Sequence, residues 1–124
     1  MGNNDLGNFR ILVVEDEYLL ADELLGNLEE AGAIVVGPVG TIADALEIID
    51  AETRVDMAVL DANLQGEMAF PVAERLEKRG IPYLFTTGYD ASIIPYRFEK
   101  VERLEKPISS VKLYKALALI APEH

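Results

Sequence analysis

The sequence predicts an α/β fold, a parallel sheet covered by helices on both faces. Strand-like apolar runs alternate with helix-like stretches five times, joined by short connections, as in a chain of strand–helix–strand units. The central run, Met57-Ala58-Val59-Leu60, is apolar throughout and holds no Gly or Pro. That is the pattern of a strand buried on both faces of a parallel sheet. Length sets the scale: 124 residues, half of them hydrophobic, suit one core and leave little room for a second domain.

Taken in order, residues 1–8 are rich in Asn and Gly and read as a flexible lead-in. The folded domain is expected over 9–121, with a short tail over 122–124. Residues 9–14 form the first strand. A helix over 17–31 presents Leu20, Leu24, Leu28 and Ala31 on one face, and Gly32 suits its C-cap. The second strand, 33–36, is stopped by Gly37-Pro38. Thr41 is the N-cap of a helix running to residue 52, with Ala45, Leu46 and Ile49 facing in. The third strand covers 55–60. A loop over 61–66 leads to a helix over 67–79, with Pro71 in its first turns, where a missing N–H is least felt. The fourth strand covers 81–86. Within 89–100, Pro95 permits only a short or broken helix, and Tyr89, Tyr96 and Phe98 are candidate exposed aromatics for a partner. The fifth strand, 101–105, is less hydrophobic and suits an edge. Ser109 caps the last helix, with Val111, Leu113, Tyr114, Leu117 and Ile120 available to the core.

Composition excludes several functions. Without Cys there is no disulfide framework, thiolate metal site or Cys nucleophile. The formal charge of −11, from 22 acidic and 11 basic residues, opposes direct binding to nucleic acid or an anionic membrane, which needs clustered Lys and Arg. The polar first residues carry no signal-peptide core, and no apolar run approaches the ~20 residues of a membrane span. A soluble, cytoplasmic protein is the expectation.

Reactive groups stand where the strands end. Ligands of open parallel sheets bind beyond the carboxyl ends of the strands. The first strand ends at Glu15-Asp16, the third at Asp61, the fourth at Thr86-Thr87-Gly88 and the fifth at Lys106-Pro107. Taken singly each is ordinary, because an acid after a strand is commonly a cap or a solvated loop residue, and Thr before Gly is common turn chemistry. Brought together, three carboxylates raise one another's pKa unless a cation intervenes. A hard divalent ion such as Mg²⁺ resolves this by taking one or two carboxylates, a carbonyl and waters. Glu15 and Asp16 are adjacent, so one can ligate directly and the other through water. Lys106 adds a fixed positive charge beside Asp61, and Thr87 a hydroxyl that can donate to an anionic oxygen. A carboxylate in this company is suited to accept a phosphoryl group, a transfer made mostly of positioning and electrostatics.

On the acidic pair Glu15-Asp16, on Asp61, on Thr87 and on Lys106-Pro107, residues 9–121 resemble the receiver domain of two-component response regulators. The resemblance implies a flavodoxin-like (βα)5 fold with strand order 2-1-3-4-5. It implies that Asp61 accepts a phosphoryl group from a histidine kinase or a histidine phosphotransfer protein. It also implies that Asp16, Asp61 and the backbone carbonyl of Asn63 ligate Mg²⁺, with Glu15 assisting through water, and that Thr87 and Lys106 stabilise and report the phosphoryl group. Such a protein signals to a downstream protein, or serves as phosphate sink or relay. It is not an enzyme beyond catalysing its own phosphorylation and dephosphorylation. Two positions depart from the pattern. Many receivers carry Tyr or Phe three residues before the Lys, where this chain has Arg103, so the usual exchange between Thr and an aromatic is not expected. Phe85-Thr86-Thr87-Gly88-Tyr89 resembles a subgroup, often stand-alone receivers, whose fourth strand reads Phe-Ala-Thr-Gly and then Gly or Tyr, with Thr86 in the place of Ala. That subgroup implies a mobile fourth helix and a switch built differently, and Gly88, Pro95 and the scarcity of helix formers between them make 88–106 the candidate segment.

Two other readings compete. A receiver-fold interaction module that never uses phosphate would not need the complete site. A Mg²⁺-dependent phosphohydrolase of haloacid-dehalogenase type would need a second Asp two residues after the nucleophile, where this chain has Asn63.

Overall fold

The computed structural model describes residues 6–51, 53–88 and 94–122. Along the chain run β1 (Arg10–Val14), α1 (Tyr18–Glu30), β2 (Ile34–Val39), α2 (Ile42–Asp50) and β3 (Met57–Asp61). A small hairpin follows, β4 (Asn63–Leu64) and β5 (Glu67–Met68), then α3 (Phe70–Lys78) and β6 (Tyr83–Thr87). A 3₁₀ turn (Tyr96–Phe98), β7 (Arg103–Glu105) and α4 (Ser110–Ile120) complete it. The main sheet is parallel with order β2-β1-β3-β6-β7. With the hairpin set aside, this is the 2-1-3-4-5 order of a flavodoxin-like fold.

The pleat sorts the core into two layers, because successive side chains in a strand point to opposite faces. Leu12, Val14, Ala58, Leu60, Tyr83 and Phe85 pack with Ala45 and Ile49 of α2 and with Val72 and Leu76 of α3. Ile11, Val13, Met57, Val59, Leu84 and Leu104 pack with Leu24 and Leu28 of α1 and with Leu113 and Leu117 of α4. Every residue of β3 and β6 is buried, as expected for the middle of a doubly covered sheet. Two caps match their sequence signals. Thr41 Oγ1 accepts from the Asp44 N–H at 3.1 Å, and Ser109 Oγ from the Lys112 N–H at 3.3 Å.

Several elements differ from the sequence reading. The lead-in is docked where it is described: Leu6 is buried, and its N–H and that of Asn8 donate to the carbonyls of Ala31 and Gly32 at 3.1 and 2.8 Å. Residues 1–5 lie outside the described residues. β2 is not stopped by Gly37-Pro38 but continues to Val39, with its register shifting opposite Leu12 and Val14. It tolerates Pro38 because an edge strand has a free side that needs no N–H. α3 begins at Phe70 rather than 67, because Glu67 and Met68 are taken up by the hairpin. The hairpin turn is Gln65-Gly66, both with positive φ, 54° and 91°. That is the type I′ pattern favoured in two-residue loops. Val111 of α4 faces solvent, whereas Ala116 joins Leu113 and Leu117 in the core.

The segment before β7 also differs. Tyr96 is 81% exposed, but Phe98 is 2% exposed and belongs to the core. Its ring stacks on Phe70 with centroids 5.3 Å apart and meets Phe85 edge-on at 5.7 Å. Tyr89 lies outside the described residues. Arg103 is half-buried and pairs with Phe85 in the β6–β7 ladder.

Candidate functional site

The β1–β3–β6 register brings the predicted strand ends together. Val14 pairs with Leu60 and Asp61 with Thr86, so Glu15, Asp61 and Thr86 follow one another across three neighbouring strands. Glu15, Asp61, Thr86 and Thr87 are the buried polar residues among those described. Glu15, Asp16 and Asp61 each offer one oxygen within 4.8 Å of the others. Gly40 permits this crowding, since a Cβ there would stand 3.3 Å from Asp16 Cα.

Asp61 holds two donors, one to each oxygen. Oδ1 accepts from the Asn63 N–H at 3.0 Å, and Oδ2 from Lys106 Nζ at 2.9 Å. Asn63 in turn accepts from the Gly66 N–H through its side-chain oxygen at 2.6 Å, which braces the hairpin turn, while the Asn63 N–H ties the hairpin to the end of β3. Lys106 reaches Asp61 from β7. Its own N–H donates to the Thr87 carbonyl at 2.8 Å, and the Lys106-Pro107 bond is cis. The same ammonium lies 3.4 Å from Glu15 Oε1 and 3.6 Å from Glu17 Oε1, so it is shared by three carboxylates.

That sharing sets the electrostatics. Burial pushes Glu15 up to about 7, assisted by the neighbouring Asp61 charge, and the Glu17 N–H and Lys106 only partly oppose it. Glu15 Oε2 accepts from the Glu17 N–H at 3.0 Å, while Oε1 is buried with no hydrogen bond, held only at ion-pair distance from Lys106. Burial alone would lower the Lys106 pKa, but hydrogen bonding and attraction to Asp61 and Glu15 outweigh it and hold it above its ordinary value. A divalent cation fits this donor set, because buried hard oxygens with surplus negative charge and one unsatisfied acceptor are what such an ion neutralises.

The site opens onto a cleft of about 500 Å³ lined by Asp16, Asp61, Asn63, Gly66, Thr87 and Lys106, among others. The predicted site residues Asp16, Asp61, Asn63, Thr87 and Lys106 therefore line one cleft, and the buried Glu15 offers an oxygen within 4.8 Å of Asp16 and Asp61. Two participants went unnoticed in the sequence. Glu17 is the third member of an acidic run, Glu15-Asp16-Glu17, and that run was the available signal. The hairpin was signalled by Gln65-Gly66.

Residues 11–118 match the family model of the response regulator receiver domain. The chain belongs to that family. The receiver domain is 30% identical over 112 residues to the sensory transduction protein LytT of Bacillus cereus, an alignment covering 87% of this chain and 45% of that protein. The chain thus spans about half the length of the curated relatives it matches. It is 40% identical to SdrG of Sphingomonas melonis Fr1, whose solution structure superposes with a TM-score of 0.82 over 91% of this chain and 96% of that one. A solution structure of the BeF3-activated conformation of SdrG from Pseudomonas melonis Fr1, also 40% identical, superposes with a TM-score of 0.77 over 90% and 95% of the two chains. The family is a signalling module of two-component systems, and its acidic pocket corresponds here to the Glu15, Asp16 and Asp61 cluster. Among the described residues no helix is long and apolar enough to cross a membrane.

Proposed function

We propose that this receiver domain accepts a phosphoryl group on Asp61 from the phosphohistidine of a histidine kinase or histidine phosphotransfer protein. The observation that carries this reading is the placement of Asp61: nearly buried, 2.9 Å from Lys106, within the carboxylate cluster and open to the cleft. An oxygen of Asp61 forms the new O–P bond as the N–P bond of the donor breaks, and the imidazole keeps the electron pair and takes a proton. Asp16, Asp61 and the Asn63 backbone carbonyl would hold Mg²⁺, with Glu15 acting through water. The ion would supply charge neutralisation for the phosphoryl oxygens. Lys106 supplies the second positive charge, and the Asn63 N–H fixes the carboxylate's orientation. Thr87, at the rim of the cleft, donates its hydroxyl to a phosphoryl oxygen. The modified domain then signals to a downstream protein or passes the phosphoryl group on. The BeF3-activated state of SdrG, a relative at 40% identity, supports this chemistry. The phosphohydrolase reading loses ground, because the position that would need a general acid is Asn63, whose side-chain oxygen is committed to the Gly66 N–H.

The test is incubation with acetyl phosphate and Mg²⁺, read by intact mass and by hydroxylamine release. The wild type should gain one phosphoryl group, and Asp61→Asn, nearly isosteric, should gain none while keeping its fold by circular dichroism. Labelling of the Asp61→Asn variant would remove Asp61 from this role.

A further inference from the structure

Thr86 is fully buried, and its Oγ1 has no hydrogen-bond partner. A buried unpaired hydroxyl destabilises a fold, and Val would fill the same volume without that cost. Packing therefore does not explain a Thr here, at a position where the resembling subgroup carries Ala.

Its place in the sheet does. Asp61 pairs with Thr86, which pairs with Leu104. By strand alternation Thr86 shares a face with Leu84, Asp61 with Met57 and Val59, and Lys106 with Leu104, all in the layer covered by α1 and α4. Thr87 points to the opposite face, beside Phe85. Neighbouring strands lie about 4.8 Å apart, so Thr86 stands one strand spacing from Asp61. Lys106 leaves the end of β7 one residue beyond the Thr87–Glu105 pair, level with Gly88, and reaches across β6 to Asp61, whose own neighbour on that face of β6 is Thr86. The Lys106 ammonium and the Thr86 side chain therefore approach Asp61 on the same face of the sheet. In the unmodified protein both Asp61 oxygens have donors and the Thr86 hydroxyl is surplus. A phosphoryl group on Asp61 draws the ammonium outward to its own oxygens, and Asp61 then lacks a donor on this face.

We propose that Thr86 is a positioning residue of the site, whose buried hydroxyl donates to Asp61 once Lys106 has turned to the phosphoryl oxygens. The inference rests on the proposed phosphoryl chemistry at Asp61. Rotation of the Thr86 side chain between staggered χ1 wells redirects its hydroxyl.

The test titrates beryllofluoride with Mg²⁺ into the wild type, Thr86→Val and Thr86→Ser, and records the Tm of each without ligand. Thr86→Val should bind beryllofluoride about three- to tenfold more weakly, the loss expected for one neutral hydrogen bond. Its unliganded Tm should equal or exceed that of the wild type, because an orphaned hydroxyl has been removed. Thr86→Ser, which keeps the hydroxyl, should bind within about twofold of the wild type. Wild-type affinity in Thr86→Val, or a loss of affinity and Tm together, would overturn the inference while leaving the phosphoacceptor reading intact. Failure of the wild type itself to bind would instead overturn that reading, and the inference with it.

Discussion

At the amino end of the sheet, Asp56 accepts from the Arg10 N–H at 2.8 Å and pairs with Arg54 at 3.2 Å, and Tyr83 donates its hydroxyl to Glu77 at 2.6 Å. Charge there is matched locally, and the Arg54 partner is largely exposed. At the carboxyl end, one ammonium serves Asp61, Glu15 and Glu17, and the two buried side-chain polar atoms without a hydrogen bond among the described residues, Glu15 Oε1 and Thr86 Oγ1, stand in the same row of residues. The two ends use the same backbone and the same core. What differs is that the charges at one end are paired locally, whereas at the other three carboxylates share one ammonium, and a buried carboxylate oxygen and a buried hydroxyl have no hydrogen-bond partner.

The sharpest way to break this contrast is Lys106→Ala. It leaves two buried carboxylates without a cation, and removing one partner of a buried ion pair costs about 3 kcal/mol. Urea unfolding near neutral pH without divalent ions should show a loss of that order, and added Mg²⁺ should recover much of it by binding the folded state alone. An equal loss with and without Mg²⁺ would mean that the carboxylates are not where the ion binds.

A smaller effect comes from pH. Glu15 has its folded pKa raised from 4.5 to about 7, so the folded state holds its proton more tightly than the unfolded chain does. That stabilisation is fully present below about pH 4.5 and is lost as pH rises through about 7. Considered alone, Glu15 should make the metal-free protein weaken across this window by on the order of 2 kcal/mol. Glu15→Gln, which cannot titrate, should flatten that part of the profile, and saturating Mg²⁺ should flatten it too by favouring the ionised carboxylate. Chemical denaturation in steps from pH 4.5 to 7.5 reads all three.

The smallest effect belongs to the amino end. Arg54→Ala removes an exposed partner of Asp56 and should change stability by at most about 1 kcal/mol, because the Arg10 N–H remains. Phosphorylation by acetyl phosphate should be unchanged. A large effect on labelling would show that the two ends are coupled through the sheet.

Much of this was legible in the chain. Five strand–helix repeats, an all-apolar Met57–Leu60 run and polar residues immediately after four of the five strands are local patterns, and local patterns reflect pleat, helix period and capping. By itself the sequence determined which residues end the strands, and so which of Glu15, Asp16, Asp61, Thr87 and Lys106 are available to a common site. Only tertiary structure decided how they meet. Strand order is set by packing between distant segments, so the crossing of Lys106 over β6 and the pairing of Asp61 with Thr86 follow from the sheet and not from spacing. The same holds for Phe98, which looked like a surface aromatic beside Pro95 and is instead drawn into the core by Phe70 and Phe85 on two other elements. Thr86 and Thr87 are identical neighbours in the chain, yet the pleat, once the strand is seated between β3 and β7, turns one to the face of Asp61 and the other to the face of Phe85.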